Sequence, residues 1–196
     1  MRKVGLTALV ISALCLSTQA QIPTGGNVFF GYSYSRGNAF TGTSAVSPTA
    51  GSINMNGWEA TAEGKYLPWI GIVADFDWHY GSRDVTAVCI PPACHKTAPF
   101  RLSGSRHELM FGPRASVSIG RYTPFAEFLI GFAHQSDSGG GLSNSDTTLA
   151  TGVGGGLDYK LVKGVAWRGE LDSIHTHFFG SSQNDLRLST GIVFKF

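Results

Sequence analysis

Long apolar runs are what this 196-residue chain lacks. A membrane-spanning helix needs about 20 mostly apolar residues. The best candidate, Leu6 to Leu16, is too short, so any membrane residence must be by strands. Sustained 3.6-residue periodicity is also missing, which argues against a helical fold. Cysteines number only three, and Cys89 and Cys94 with neighbouring His95 fall one ligand short of a closed zinc site. Charge of one sign is scarce too. The formal +2 comes from 15 bases and 13 acids. Arg2 and Lys3 are two of those bases; without them 13 of each sign remain, which gives no footing for a nucleic-acid partner.

Arg2 and Lys3 precede the Leu6 to Leu16 run, and Thr18-Gln19-Ala20 places small residues before Gln21. This is the layout of a cleavable secretory signal over residues 1–20, leaving one domain over 21–196. Cys15 leaves with the signal. In an exported protein the pair in Cys89-Ile-Pro-Pro-Ala-Cys94 then reads as a disulfide that staples a loop.

What the chain does have is alternation of period two, the mark of strands with one apolar and one polar face. It recurs at 27–36, 56–66, 70–80, 105–117, 124–134, 147–161, 165–177 and 185–196. In the last of these, Leu186, Leu188, Thr190, Ile192, Phe194 and Phe196 oppose Arg187, Ser189, Gly191, Val193 and Lys195. Segments between strands alternate long and short, with 81–104, 135–146 and 178–184 read as loops. In an up-and-down barrel this gathers the short turns at one end and the long loops at the other.

The charges follow the faces. On the polar phase lie Glu59, Glu63, Asp75, Asp77, Glu108, Glu127, Asp158, Glu170 and Asp172, with Lys65, Arg106, Arg114, Lys160, Arg168, Arg187 and Lys195. The other ten charges (Arg36, Arg83, Asp84, Lys96, Arg101, Arg121, Asp137, Asp146, Lys163 and Asp185) fall in loops, turns or strand ends. None falls mid-strand on the apolar phase. A soluble lipocalin-like barrel would turn its apolar face inward. A membrane barrel turns it outward, because hydrocarbon penalises a charge by roughly 2–4 kcal/mol at midplane. Aromatics gathered at the strand ends favour the membrane: Tyr66, Trp69, Tyr122, Tyr159, Trp167 and Phe196 at one level, and Tyr34, Trp58, Trp78, Tyr80 and Phe132 at the other. The expected fold is therefore all-β, an eight-stranded antiparallel up-and-down transmembrane β-barrel of the kind found in bacterial outer membranes.

Gly152-Val-Gly-Gly-Gly-Leu-Asp-Tyr-Lys160 and Leu188-Ser-Thr-Gly-Ile-Val-Phe-Lys-Phe196 resemble the last two strand motifs of small outer-membrane proteins of the OmpA-like, OmpX and opacity-porin type. The resemblance spans the whole mature chain. It implies a bilayer partner with a lipopolysaccharide leaflet, and it makes Phe196 an assembly signal read by the barrel-assembly machinery. Loops of adhesin-like members bind surface ligands, so a ligand of unassigned chemistry at the loops is implied as well.

An eight-stranded barrel is just wide enough for side chains to fill, and its buried charges must pair. The expectation is a plugged, salt-bridged lumen in a monomer with a structural or surface-interaction role. A small porin-like diffusion channel and a soluble ligand-binding barrel are the alternatives. No catalytic residue, cofactor or metal ligand is assigned. The histidines (His79, His95, His107, His134, His175 and His177) gather at the loop end, but His79 points inward while His107, His134, His175 and His177 point outward from different strands.

Overall fold

The computed structural model describes residues 25–38, 52–86, 99–139, 142–178 and 181–196. Residues 1–20, Cys89, Cys94 and His95 lie outside them, so the signal and disulfide readings do too. Eight strands run in order: β1 (Gly25–Asn38), β2 (Ser52–Leu67), β3 (Ile70–Thr86), β4 (Pro99–Ser116), β5 (Tyr122–Gly139), β6 (Leu142–Val162), β7 (Val165–Phe178) and β8 (Ser181–Lys195). Each pairs antiparallel with the next, and β8 returns to β1, which closes the barrel. Along that seam the register runs from Asn27↔Lys195 to Arg36↔Leu186. Gly26 and Phe196 exchange two backbone hydrogen bonds of 3.0 Å at its end. Among the described residues, closure leaves no edge strand with unpaired backbone groups.

The turns expected to be short, β2–β3, β4–β5 and β6–β7, sit together at one end. Pro68-Trp69 reverses β2 into β3, and Lys163-Gly164 reverses β6 into β7, where Gly164 takes a left-handed φ of 81°. Ladder irregularities between Lys65 and Leu67 and between Lys160 and Val162 mark the strand ends entering two of these turns.

The alternation read from the sequence becomes a wall with two faces. Phe30, Ile72, Phe111, Phe128, Val153, Leu171, Leu188 and Phe194 are exposed on the outside. Inside, the largest fully buried side chains include Arg114, Arg168 and Arg187 beside Phe29 and Met110. Val73, Met110, Leu129, Ala133, Ala150, Ile174 and Phe178 form the main apolar cluster of the interior.

The strands outrun their expected lengths. β3 continues to Thr86 and β4 starts at Pro99, inside the segment 81–104 that reads as a loop. Likewise 135–146 is largely paired, with Gly139 opposite Leu142, and 178–184 is mostly paired, with Phe178 opposite Ser181. The apolar pattern stops where the outward residues become Ser, Asn and Asp. The backbone ladder needs no apolar side chain and carries on. The expected alternation of long and short connections therefore fails at β5–β6 and β7–β8.

Candidate functional site

The interior is a stack of arginine-centred ion pairs, each guanidinium reaching carboxylates on several strands. Nearest the short turns, Arg168 holds Asp158 through Nε at 2.7 Å, and its guanidinium lies 5.2 Å from the Phe29 ring centre and 4.5 Å from that of Phe125. Lys195 reaches Asp158 at 2.9 Å, and Lys65 donates to Ser116 at 2.7 Å. Arg114 comes next, with Glu127 at 2.5 Å, Glu170 at 3.4 Å and Glu63 at 3.7 Å. Asn27 donates to Glu63 at 2.6 Å.

Arg187 is the hub. It meets Asp75 and Asp77 at 2.5 Å each, Asp172 at 3.0 Å and Glu59 at 3.5 Å. Ser189 donates to Glu59 and lies 2.9 Å from Ser33. His79 stands 3.1 Å from Asp77 and 2.9 Å from Ser33. Farther out, Arg106 pairs with Asp185 and with Glu108 at 3.2 Å, and donates to Ser35 at 3.1 Å. A planar guanidinium with five donors suits such multiple contacts, which a lysine could not make.

Of the residues assigned to the lumen, Glu59, Glu63, Asp75, Asp77, Glu108, Arg114, Glu127, Asp158, Arg168, Glu170, Asp172 and Arg187 are buried, and Lys65 and Lys195 are half-buried. Lys160 is the exception. It is exposed at the rim, because β6 reaches the barrel mouth there and its ladder breaks between Lys160 and Val162. Asp185 and Asp137 correct the opposite error: expected at strand ends or in loops, both are buried inside the barrel. Asp185 shares the inward phase of Arg187 two residues on, so the signal was present. Asp137 lies on the extension of β5 that the apolar pattern did not reveal. Burial pushes the Asp137 carboxyl up to about 6, against a hydrogen bond from Gln135 and the positive charge of Arg106.

The outward histidines stay apart from this network. His107 packs 4.5 Å from Trp78 and 6.4 Å from His134. His134 bonds Thr147 at 2.7 Å, His175 bonds Asn184 at 2.8 Å and His177 bonds Ser182 at 3.2 Å. At the short-turn mouth a cavity of about 190 Å³ opens between Lys65, Ser116, Asp158 and Lys195, with Arg114, Phe125 and Arg168 also lining it.

A closed eight-stranded barrel with an apolar outer wall and a salt-bridged interior has the fold of the small outer-membrane barrels. No family model matches the sequence and no curated protein sequence matches it. Solved structures do. The attachment invasion locus protein Ail of Yersinia pestis, in complex with the heparin analogue sucrose octasulfate, superposes with a TM-score of 0.54 at 13% identity, over 86% of this chain and 99% of that one. Neisserial surface protein A gives 0.53 at 13% identity, over 86% and 97%. The outer membrane protease OmpT of Escherichia coli gives 0.51 at 9% identity, over 92% and 99%. At such identities the likeness is one of fold.

Proposed function

We propose that this chain is an integral outer-membrane protein whose lumen is plugged by its own ion pairs, with a structural or surface-interaction role and no catalysis. One observation carries the reading. On the outer wall the middle of every strand shows apolar residues, while the charges of the same strands lie inside. Water would not favour so large an unbroken apolar surface, whereas hydrocarbon requires it. Tyr66, Trp69, Tyr122 and Trp167 stand exposed near one end, and Trp78, Tyr80 and Phe132 near the other, as bilayer interfaces favour.

In this reading residues 1–20 are removed on export, Cys89 and Cys94 form a disulfide, Phe196 serves the assembly machinery, and the short turns face the periplasm. Geometry supports the plug: Arg114 reaches from β4 to Glu170 on β7, Arg168 from β7 to Thr61 on β2, and Arg187 from β8 to Asp77 on β3. Cell fractionation tests the first part, and recovery of the mature chain as a soluble periplasmic protein would end it. Planar-bilayer recording tests the second. The expected trace shows no stable conductance; a large steady one in the wild type makes the protein a channel.

A further inference from the structure

The ion pairs of the interior do not balance. Among the described residues, eleven buried carboxylates face four buried arginines and two half-buried lysines, an excess of five acids. Such an excess inside a barrel wall calls for additional cations.

Glu127, Glu170 and Asp172 each offer one oxygen within 4.8 Å of an oxygen of both others. All three are anchored on one side. Arg114 holds Glu127 Oε2 and Glu170 Oε1, and Arg187 holds Asp172 Oδ2. Their other oxygens, Glu127 Oε1, Glu170 Oε2 and Asp172 Oδ1, are shielded from solvent and accept no hydrogen bond. The nearest cation to one of them, Arg168 Nη1, stays 3.6 Å from Glu170 Oε2, beyond hydrogen-bonding reach.

The backbone lets one of them approach closely. Glu127 on β5, Gly154 on β6 and Asp172 on β7 lie in one row of the sheet. A Cβ on Gly154 would come 1.7 Å from Asp172 Oδ1, so that oxygen occupies the space where any other residue would carry its side chain. The missing side chain lets the Asp172 carboxylate lie against the β6 backbone, in the same row as Glu127.

We infer that Glu127, Glu170 and Asp172 form a binding site for a hard divalent cation, Ca²⁺ by preference, held inside the barrel against the Gly154 backbone. An all-oxygen donor set excludes the softer metals that seek imidazole or thiolate. Ca²⁺ bonds oxygen at about 2.3–2.6 Å, so two of its ligand oxygens stand no more than about 5.2 Å apart, and these three lie within that limit of one another. Three carboxylates leave coordination positions that Ca²⁺ readily fills with water. The ion supplies positive charge where the anchoring arginines leave oxygens unsatisfied.

Folding tests the site, because a closed lumen loads as it forms. The chain is folded from urea into uncharged detergent micelles with CaCl₂ or with EDTA, passed through metal-free buffer, and assayed for bound calcium and for its melting midpoint. The expected result is about one retained equivalent per chain and a higher midpoint than the EDTA sample. Glu170→Gln removes a ligand at constant shape, and Gly154→Ala pushes Asp172 Oδ1 aside while removing none. Each should cut retention about tenfold or more, while Asp84→Asn, at an exposed acid outside the lumen, should leave it unchanged. Wild-type protein that retains no calcium and melts alike in both samples overturns the inference and leaves protons as the neutralising charge. Retention that survives both lumen variants also overturns it, by placing the ion elsewhere.

Discussion

Arg187 on β8 and Asp77 on β3 are 110 positions apart in the chain and 2.5 Å apart across the barrel. The same guanidinium reaches Asp75 on β3, Asp172 on β7 and Glu59 on β2, so one side chain straps four strands together. Being buried, these ions gain from one another only while all partners are present. Removing the hub therefore harms more than its own contacts.

Arg187→Ala leaves four carboxylates around an uncompensated gap and should cost about 3–5 kcal/mol of stability, the range for breaking a buried pair. Urea unfolding in micelles measures it. A loss within the surface range of about 0.5 kcal/mol would mean that these acids never relied on Arg187.

The outer wall makes a separate prediction. Val153 is exposed midway along β6 and pairs with Phe128 of β5. Val153→Arg should lower the stability of the bilayer-inserted barrel by about 2–4 kcal/mol. Ser145→Arg, exposed farther along the same strand, should change it by less than about 0.5 kcal/mol. Equal effects of the two in lipid vesicles would deny that the middle of the wall meets hydrocarbon.

Asp137 gives the barrel a pH dependence of definite sign. Its carboxyl is raised from 3.8 to about 6 by burial, so the folded state prefers the protonated form. That preference contributes fully below about pH 3.8 and is lost as pH rises through about 6. Between pH 4 and pH 7 the stability difference between wild type and Asp137→Asn should shift in the variant's favour. Paired melts across that window check it, and a constant difference would contradict the assignment.

Phe196 packs its ring on Gly26, where an added Cβ would sit 2.9 Å from the ring, and shares two backbone bonds with that residue. These are few contacts, and Phe196 is otherwise exposed. Deleting it should reduce the amount of barrel in the outer membrane several-fold while moving the urea midpoint of refolded protein only slightly. Normal membrane levels of the truncated chain would remove its role as an assembly signal.

Much of the wall was legible before the fold was known. Glu59 and Asp75 alternate with Trp58 and Phe76, and the structure puts the first pair inside and leaves Trp58 and Phe76 on the outer side. Asp185 could have been placed by its two-residue step from Arg187. The ends of β3 to β8 could not, because Ser, Asn and Asp extend a ladder without an apolar signature. Lys160 kept the inward phase in sequence but left the lumen where its ladder breaks at the mouth.

Period two is a local property: a strand turns successive side chains to opposite faces wherever it lies, so the sequence by itself determined which residues of a strand share a face. Which acid meets which arginine is not local. Arg187 finds Asp77, and Glu127 finds Gly154 and Asp172 in its row, only after the strands take their registers and the barrel closes. The tertiary structure alone decided that, because ion pairing across a lumen depends on relative strand heights, which no single strand encodes.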